Sequence, residues 1–196
     1  MTGQWILYRM DSQSNLANHF LIAMPGLNDP NFFHTVTYIC EHNENGAMGI
    51  VINRPIEFSI ADIFEQMEIK ADPAQNHEQP VFNGGPVQED RGFILHQYDH
   101  KWDSTLVINP NIAITTSKDI LEALAMGKGP DKKLIALGYA GWGEGQLEQE
   151  ILDNAWLTGP ARPEILFDLP VEDRWQQAAS DIGVDLNLLS TSSGHA

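Results

Sequence analysis

A glycine-rich segment between Leu137 and Trp156 has the residue types of a loop that could cradle a phosphate group. Its glycines, at positions 138, 141, 143 and 145, separate an apolar strand-like run from an amphipathic helix-like run. A dinucleotide-binding loop needs the spacing G-x-G-x-x-G, but Gln146 stands where the third glycine would fall. A P-loop needs a lysine directly after its last glycine, and none follows here. The segment therefore matches neither phosphate-binding pattern.

Three glutamates, Glu144, Glu148 and Glu150, also crowd the start of the predicted helix. They would interact favourably with the positive end of the helix dipole and would repel an anionic ligand. We therefore interpret the segment as a structural corner where glycines allow two backbones to approach closely. Trp142, which lies between two glycines, remains a binding candidate as a contact for a partner if its indole is exposed.

Two arginines are candidates for binding an anion. Arg91 lies close in sequence to the turn that contains Gly84 and Gly85, whose exposed amides could bind a carboxylate or a phosphate. Arg54 follows an apolar strand-like run and is a second candidate of the same kind. The simpler interpretation, which the sequence favours, is a glycine turn beside ordinary surface charges.

Two other groups contain nucleophilic or metal-binding residue types, but neither forms a complete site. Cys40 and His42 lie two apart on a predicted strand and hence on one face, which suggests a thiolate–imidazole pair with Cys40 as a redox candidate. A buried, inert cysteine is the favoured alternative, because side chains at this spacing diverge and no third group orients them. His96, Asp99 and His100 could ligate a metal, but no predicted helix holds them on one face. We predict no catalytic residue, no metal and no cofactor.

Composition restricts the possible partners. The chain of 196 residues has 11 Lys and Arg against 27 Asp and Glu, for a net charge of −16. That charge argues against direct nucleic-acid binding, which needs clustered basic residues. A single cysteine gives no sign of an oxidising compartment, and no apolar run approaches the roughly 20 residues needed to span a bilayer. We therefore expect a cytoplasmic protein without a membrane or nucleic-acid partner.

The first half of the chain is rich in predicted strands. Residues 35–42 and 46–53 form a hairpin, with a turn that ends at Gly46. Ser59 and Asp62 have the spacing of a capping box at the start of a helix. Further short strands are predicted at 80–82, 92–96, 105–108 and 112–116.

Strands and helices alternate in the second half. We predict a helix from Ser117 to Gly127, a strand at 134–140, a helix whose apolar stripe runs from Leu147 to Trp156, a strand at 164–169, and a last helix ended by Gly183. The whole pattern favours a single domain of the α+β class, with a mixed sheet flanked by helices.

Five segments resemble the bacterial AlgH/YqgE family: residues 20–55, 81–96, 115–125, 137–157 and the C-terminal residues 194–196. The resemblance covers nearly the whole chain. It implies an α+β domain whose mixed, branched and partly barrel-like sheet is flanked by about four to five helices. Residues 1–15 look like an N-terminal extension, in which residues 5–8 could add an edge strand or dock on the core.

The family resemblance implies a role without implying a reaction. One branch is named for a proposed regulation of alginate biosynthesis, and no catalytic residues are known that could be transferred to this chain. Our leading hypothesis is a non-enzymatic regulatory or binding protein that acts through a protein partner or a small ligand. The alternative is an enzyme or small-anion-binding protein with a site near Gly84, Gly85, Arg54 and Arg91. Direct contact with DNA ranks last, because the chain is acidic and has no helix-turn-helix signal.

Overall fold

Ten strands and six α-helices make up the fold within residues 15–191, the part of the chain that the computed structural model describes. The strands are β1 (His19–Ala23), β2 (Val36–Asn43), β3 (Gly46–Val51), β4 (Pro55–Ser59), β5 (Pro80–Asn83), β6 (Val87–Gln97), β7 (Thr105–Asn109), β8 (Ile112–Thr115), β9 (Lys133–Trp142) and β10 (Trp156–Pro160). The helices are α1 (Ile60–Gln66), α2 (Lys118–Ala125), α3 (Gln146–Leu152), α4 (Pro163–Phe167), α5 (Arg174–Asp181) and α6 (Leu186–Thr191). No helix within residues 15–191 is long and apolar enough to cross a membrane. The predicted strand at residues 5–8 lies outside the described residues.

The sheet is mixed and branched. Its main path runs β10-β1-β2-β3-β9-β6-β8-β7, while β5 joins β9 and β4 joins β5. All neighbours are antiparallel except β5 and β9, which are parallel. The sheet curls into a half-barrel, and the chain forms one α+β domain, as the sequence predicts.

Strand β9 joins the two halves of the sheet by changing partners at Gly138. Before this residue β9 pairs with β5 and β6, and after it β9 pairs with β3 and, at Tyr139 alone, again with β6. Gly138 has a φ of +76°, and a Cβ atom there would lie 2.4 Å from the Gly85 oxygen. A Cβ on Gly84 would in turn lie 2.3 Å from the Gly138 oxygen. The predicted close backbone approach therefore occurs where the sheet branches.

Both faces of the sheet are covered. The inner face carries the largest cluster of buried side chains, which α4, α5 and α6 close from the C-terminal end of the chain. A second cluster packs α1 and α2 on β5, β6 and β9, and a third packs α3 on β1, β2 and β9. The site described below lies at one end of the inner face.

Local signals in the sequence correctly place most elements. The hairpin of β2 and β3 forms with Gly46 at a φ of +135°, and Ser59 and Asp62 make the predicted capping box. Gly127 and Gly183 end α2 and α5 in the left-handed conformation, with φ values of +70° and +79°. These features depend on contacts within a few residues, which a local pattern can report.

The predictions for residues 146–169 are partly wrong. Helix α3 ends at Leu152, which is exposed, and Trp156 begins strand β10 instead of completing the helical stripe. Residues 164–169, predicted as a strand, belong mainly to helix α4, which begins at Pro163. A short apolar run fits both the periodicity of a strand and that of a helix. Pro163, at the first helical position, favours the helix. Because α4 and α6 were not predicted, the helices number six instead of four to five.

Replacing Gly138 by alanine should lower the free energy of unfolding by about 3 kcal/mol or more, which urea denaturation can measure. The left-handed conformation costs an L-residue roughly 1–2 kcal/mol, and overpacking against the Gly85 oxygen adds roughly 1–3 kcal/mol. Gly92→Ala is the matched control, because a Cβ there meets no atom within 4 Å. Equal stability of the two variants would refute the proposed role of the backbone contact.

Candidate functional site

An open groove of about 570 Å³ lies between the β2–β3 hairpin and strand β6. That volume falls within the range of roughly 300–1,000 Å³ that is common for ligand pockets. Its floor is mainly apolar and aromatic: Met48, Val87, Phe93 and Tyr139. Three of these residues are the outermost part of the inner-face core, since Phe93 belongs to that cluster and Met48 and Tyr139 pack against it.

One wall of the groove is the tip of the β2–β3 hairpin. Asn43 accepts a hydrogen bond from the Asn45 amide at 2.8 Å, which holds the turn closed. A Cβ atom on Gly46 would lie 2.1 Å from the Trp142 carbonyl oxygen. Only glycine therefore lets the hairpin tip lie directly against the end of β9. Glu41, Asn43 and Asn45 line this wall.

The opposite wall is a bulge in strand β6. Val87 pairs with Tyr139, but Gly92 pairs with Leu137, so the four residues 88–91 of β6 lie opposite the single residue Gly138 of β9. All four are exposed, and Gln88 has a left-handed φ of +48°. We call residues 88–91 the β6 bulge. Such bulges re-aim side chains at the edge of a binding surface, and here Gln88 and Arg91 line the groove.

Exposed acidic residues lie in and next to the lining of the groove. Glu41 lines it, and Glu44, Glu89 and Asp90 are exposed beside lining residues in the hairpin tip and the β6 bulge. Arg91 is the single basic residue among those that line it within residues 15–191. The local field therefore has the sign of the whole chain and favours a cationic partner.

Arg91 is held in place by weak contacts. Its guanidinium carbon lies 5.4 Å from the centre of the Phe93 ring, and its two amino groups donate to Gln88 Oε1 at 3.2 Å and Thr116 Oγ1 at 3.5 Å. No carboxylate within residues 15–191 lies at ion-pair distance from it. This candidate from the sequence is thus positioned toward the groove without a charged partner.

Trp142 reaches the groove through one edge but is not an exposed contact. It is 6 % exposed, and its indole N–H donates to Glu150 Oε2 at 2.7 Å. The indole N–H of Trp156 donates to the same oxygen at 3.0 Å. Glu150 thereby ties β9 and β10 to helix α3. The condition on which Trp142 was a candidate contact for a partner, an exposed indole, is therefore not met.

Cys40 and His42 do not form a pair. Cys40 is the extra residue of a bulge between Ile39 and Glu41, so it points into the inner-face core and His42 points to the other face. Burial raises the pKa of the Cys40 thiol well above its ordinary value, which keeps it protonated and unreactive. His42 instead accepts the Leu16 amide at 2.9 Å and contacts Glu148 at 2.5 Å.

The structure does not bring Arg54, Gly84 and Gly85 together with Arg91, as the alternative site would require. Arg54 donates to the carbonyl oxygens of Pro30 and Phe33 at 2.7 and 2.9 Å, which fixes the turn before β2. Gly84 and Gly85 are buried against β9 at the branch of the sheet. Neither arginine meets those glycines in a common groove, since Arg91 alone lines the groove described above.

His96 is a buried residue with a structural role. It is fully buried, its Nε2 shares a hydrogen bond of 2.8 Å with Thr115 Oγ1, and its Nδ1 lies 2.9 Å from the Gln97 carbonyl oxygen. Burial lowers the pKa of His96, partly offset by that carbonyl and by the charge of Asp99. Across residues 15–191 no cluster of three or more His, Cys, Asp or Glu side chains has a geometry suited to a metal ion.

Sequence reasoning missed the floor of the groove. Met48 and Tyr139 carry no motif, and they meet only because β3 pairs with β9. A weak signal was present in the polar run of residues 88–91, which interrupts the alternation expected of a strand that extends from Val87.

The comparisons place the chain among AlgH-like proteins. A family model described as AlgH-like matches residues 20–187. The UPF0301 protein of Thioalkalivibrio sulfidiphilus is 60% identical over 187 residues, which is 95% of this chain and 100% of that protein. The UPF0301 protein of Methylococcus capsulatus is 54% identical over the same length and coverage. These names state no reaction, substrate or partner.

Two solved structures have the same fold. The solution structure of the AlgH protein from Pseudomonas aeruginosa has a TM-score of 0.77 and 54% identity, and the match covers 96% of this chain and 100% of that one. The crystal structure of a protein from Corynebacterium diphtheriae has a TM-score of 0.72 and 19% identity, with 97% and 99% covered. The second match shows the fold alone.

The buried His96 should make stability depend on pH. Its pKa is lower in the folded protein than its ordinary value of 6.5, so below that pH the unfolded chain binds the proton more readily. The free energy of unfolding should therefore fall as the pH drops from about 7 toward 5. His96→Gln should flatten this slope, whatever its effect on stability at pH 7.5. Parallel slopes for the two proteins in urea denaturation would contradict the prediction.

Removing the carboxylate of Glu150 should destabilise the protein more than removing a neighbouring one. In Glu150→Ala the indole N–H groups of Trp142 and Trp156 lose their acceptor, and each unsatisfied donor costs about 1–3 kcal/mol. Glu144→Ala is the control, because that side chain is exposed in the same segment. Unfolding followed by tryptophan fluorescence measures the difference, and equal losses in both variants would disprove the role of Glu150.

Proposed function

This chain belongs to the AlgH-like family, and we propose that it is a non-enzymatic protein that binds a segment of a partner protein in the groove. The observation that carries the proposal is an apolar floor with Glu41 in its lining and three exposed acids, Glu44, Glu89 and Asp90, next to lining residues in the chain. The partner segment is therefore basic and contains at least one apolar side chain. A cytoplasmic location, in keeping with a chain that has a single cysteine, belongs to the same proposal.

The chemistry of the groove supports binding over catalysis. Nucleophilic catalysis needs a side-chain nucleophile that is activated, commonly by a base within hydrogen-bond reach. The lining residues within the described part of the chain include no Cys, His, Ser, Thr or Lys. Cys40 lies in the inner core with a raised pKa, and His96 is enclosed by Thr115 and the backbone. Cys40 and His96 are thus separated from the space that a ligand could enter.

The shape of the groove supports a protein segment as the ligand. The groove is open to solvent between the hairpin tip and the β6 bulge, which gives a protein segment access to the apolar floor. The flanking polar residues Asn43, Asn45 and Gln88 offer amide groups for hydrogen bonds to a peptide backbone. A small ligand would leave much of this rim unused.

The charge of the chain supports a basic partner. With a net charge of −16, the protein attracts cationic segments over a distance set by the salt concentration and repels nucleic acids. Complementary charge of this kind raises association rates and excludes partners of the wrong sign. If the protein regulates transcription, it does so through a protein that it binds.

Peptides with free carboxyl ends, displayed as a random library, test this proposal. Those selected on the protein should combine Lys or Arg with a large apolar residue. In fluorescence anisotropy they should bind the double variant Glu41→Lys/Glu44→Lys at least about tenfold more weakly, because two rim charges are reversed.

The control for that experiment is Glu57→Lys/Glu78→Lys, which changes two exposed glutamates outside the groove and alters net charge by the same amount. Its binding should change less than about twofold at physiological salt, where distant charges are screened. Equal weakening by both variants would show that the effect comes from the net charge alone, and would refute the proposal. Failure to select any groove-dependent peptide would also refute it.

A panel of small anionic ligands distinguishes peptide binding from the alternative function, small-anion binding. Nucleotides, sugar phosphates and acyl phosphates at 100 times their dissociation constant would stabilise the fold by about 2.7 kcal/mol in a thermal-shift measurement. The proposal expects no such shift. A shift that is lost in Arg91→Gln would favour small-anion binding over the peptide groove.

A further inference from the structure

The guanidinium of Arg91 has hydrogen-bonding capacity that the described residues leave largely unused. An arginine side chain carries several N–H donors arranged to fit a carboxylate. In Arg91 the contacts are to neutral oxygens, at 3.2 Å to Gln88 and at 3.5 Å to Thr116. Both are longer than usual for a charged donor, which typically lies about 2.7–2.9 Å from its acceptor.

The other arginines of the described chain differ in this respect. Arg54 donates to a carbonyl oxygen at 2.7 Å, Arg162 to Asp181 at 2.8 Å, and Arg174 to the Ile52 carbonyl oxygen at 2.6 Å. Each of these three side chains holds two parts of the fold together. Arg91 makes no comparable bond within residues 15–191, although acidic residues are abundant. Its position is therefore not explained by the stability of the fold.

Arg91 is nevertheless well placed for recognition. Its guanidinium lies over the ring of Phe93, which is only 4 % exposed and so gives the cation a fixed support. It lines the groove beside the apolar floor formed by Met48 and Tyr139. A ligand that places an apolar group on this floor would bring an adjacent anionic group within reach of Arg91.

We infer that Arg91 binds the C-terminal carboxylate of the partner segment, an inference that rests on the proposed function of the groove. The reason for a chain terminus is electrostatic. Glu41 lines the groove, and the exposed Glu44, Glu89 and Asp90 are next to lining residues in the chain, so together these charges would repel a segment with acidic side chains. A basic segment that ends in the groove carries one obligatory carboxylate, and among residues 15–191 Arg91 is the one cation in the lining that could receive it.

The consequence is a defined polarity for the bound segment. Its last apolar side chain lies on the floor beside Phe93 and Tyr139, its carboxylate meets Arg91 at the β6 bulge, and its basic residues face Glu41 on the hairpin wall. Capture of a C-terminal carboxylate is a known mode of peptide recognition, and a guanidinium fits a carboxylate through paired hydrogen bonds. The β6 bulge would then serve to hold Arg91 above the groove.

Matched synthetic peptides test the inference. The probes are acetyl-Lys-Arg-Ala-Leu-Phe with a free carboxyl end, the same peptide with a C-terminal amide, and the peptides selected above in both forms. Fluorescence anisotropy should show that amidation weakens binding to the wild-type protein at least about tenfold, as expected for loss of a charge-assisted bidentate contact.

Variants of Arg91 test whether the difference in affinity between free-acid and amide peptides depends on its guanidinium. In Arg91→Gln, free-acid and amide peptides should bind equally, while Arg91→Lys should keep part of the difference. Lys128→Gln is the control for loss of an exposed positive charge, and it should preserve the wild-type difference. Urea denaturation should show all three variants to be folded, because Arg91 makes no short bond in the described chain.

The outcomes separate the inference from the proposed function. If both peptide forms bind the wild-type protein equally and still depend on Glu41 and Glu44, the groove binds peptides but the inference about Arg91 is wrong. If Arg91→Gln weakens both forms alike, Arg91 shapes the groove and does not read a carboxylate, which also overturns the inference. If neither form binds in a groove-dependent manner, the proposed function itself fails.

Discussion

The close contact between two backbones at Gly84, Gly85 and Gly138 is the constraint on which the rest of the structure depends. Strand β9 can pair with β6 and β5 on one stretch and with β3 on the next only if it turns where these chains cross. Gly84 completes the junction, because its amide donates to the Leu137 carbonyl oxygen and its carbonyl oxygen accepts the Val51 amide. A side chain at any of the three glycines would push the halves of the sheet apart.

A second interaction closes the inner face that this junction creates. Arg174, at the start of α5, donates to the carbonyl oxygens of Ile52 and Leu169 and lies 5.5 Å from the ring centre of Phe82. Burial lowers its pKa to about 10, so the guanidinium still carries its charge at neutral pH. The bond to Ile52 satisfies a carbonyl at the end of β3 and fixes α5 across the sheet. The inner core is thus closed near the junction and remains open at the groove.

Local features could be predicted from the sequence, and long-range ones could not. The capping box at Ser59 and the left-handed end at Gly127 depend on neighbours in the chain, so their signals were sufficient. Strand β10 was missed because Gly159 and Pro160 look like chain breakers, whereas an edge strand tolerates a proline at its end. Arg91 was identified as a candidate, but its groove was not, because the floor is assembled from β3, β6 and β9.

The distribution of acidic residues gives the groove its character. Two of the three glutamates near α3 have structural partners, since Glu148 contacts His42 and Glu150 accepts both indoles. These two carboxylates hold α3 on the outer face of the sheet. The acids of the hairpin tip and the β6 bulge are exposed and are free to act on a partner. Some surface carboxylates thus stabilise the fold, and others contribute a negative potential near the groove. In these surroundings Arg91 is a local positive charge, which would orient a bound segment.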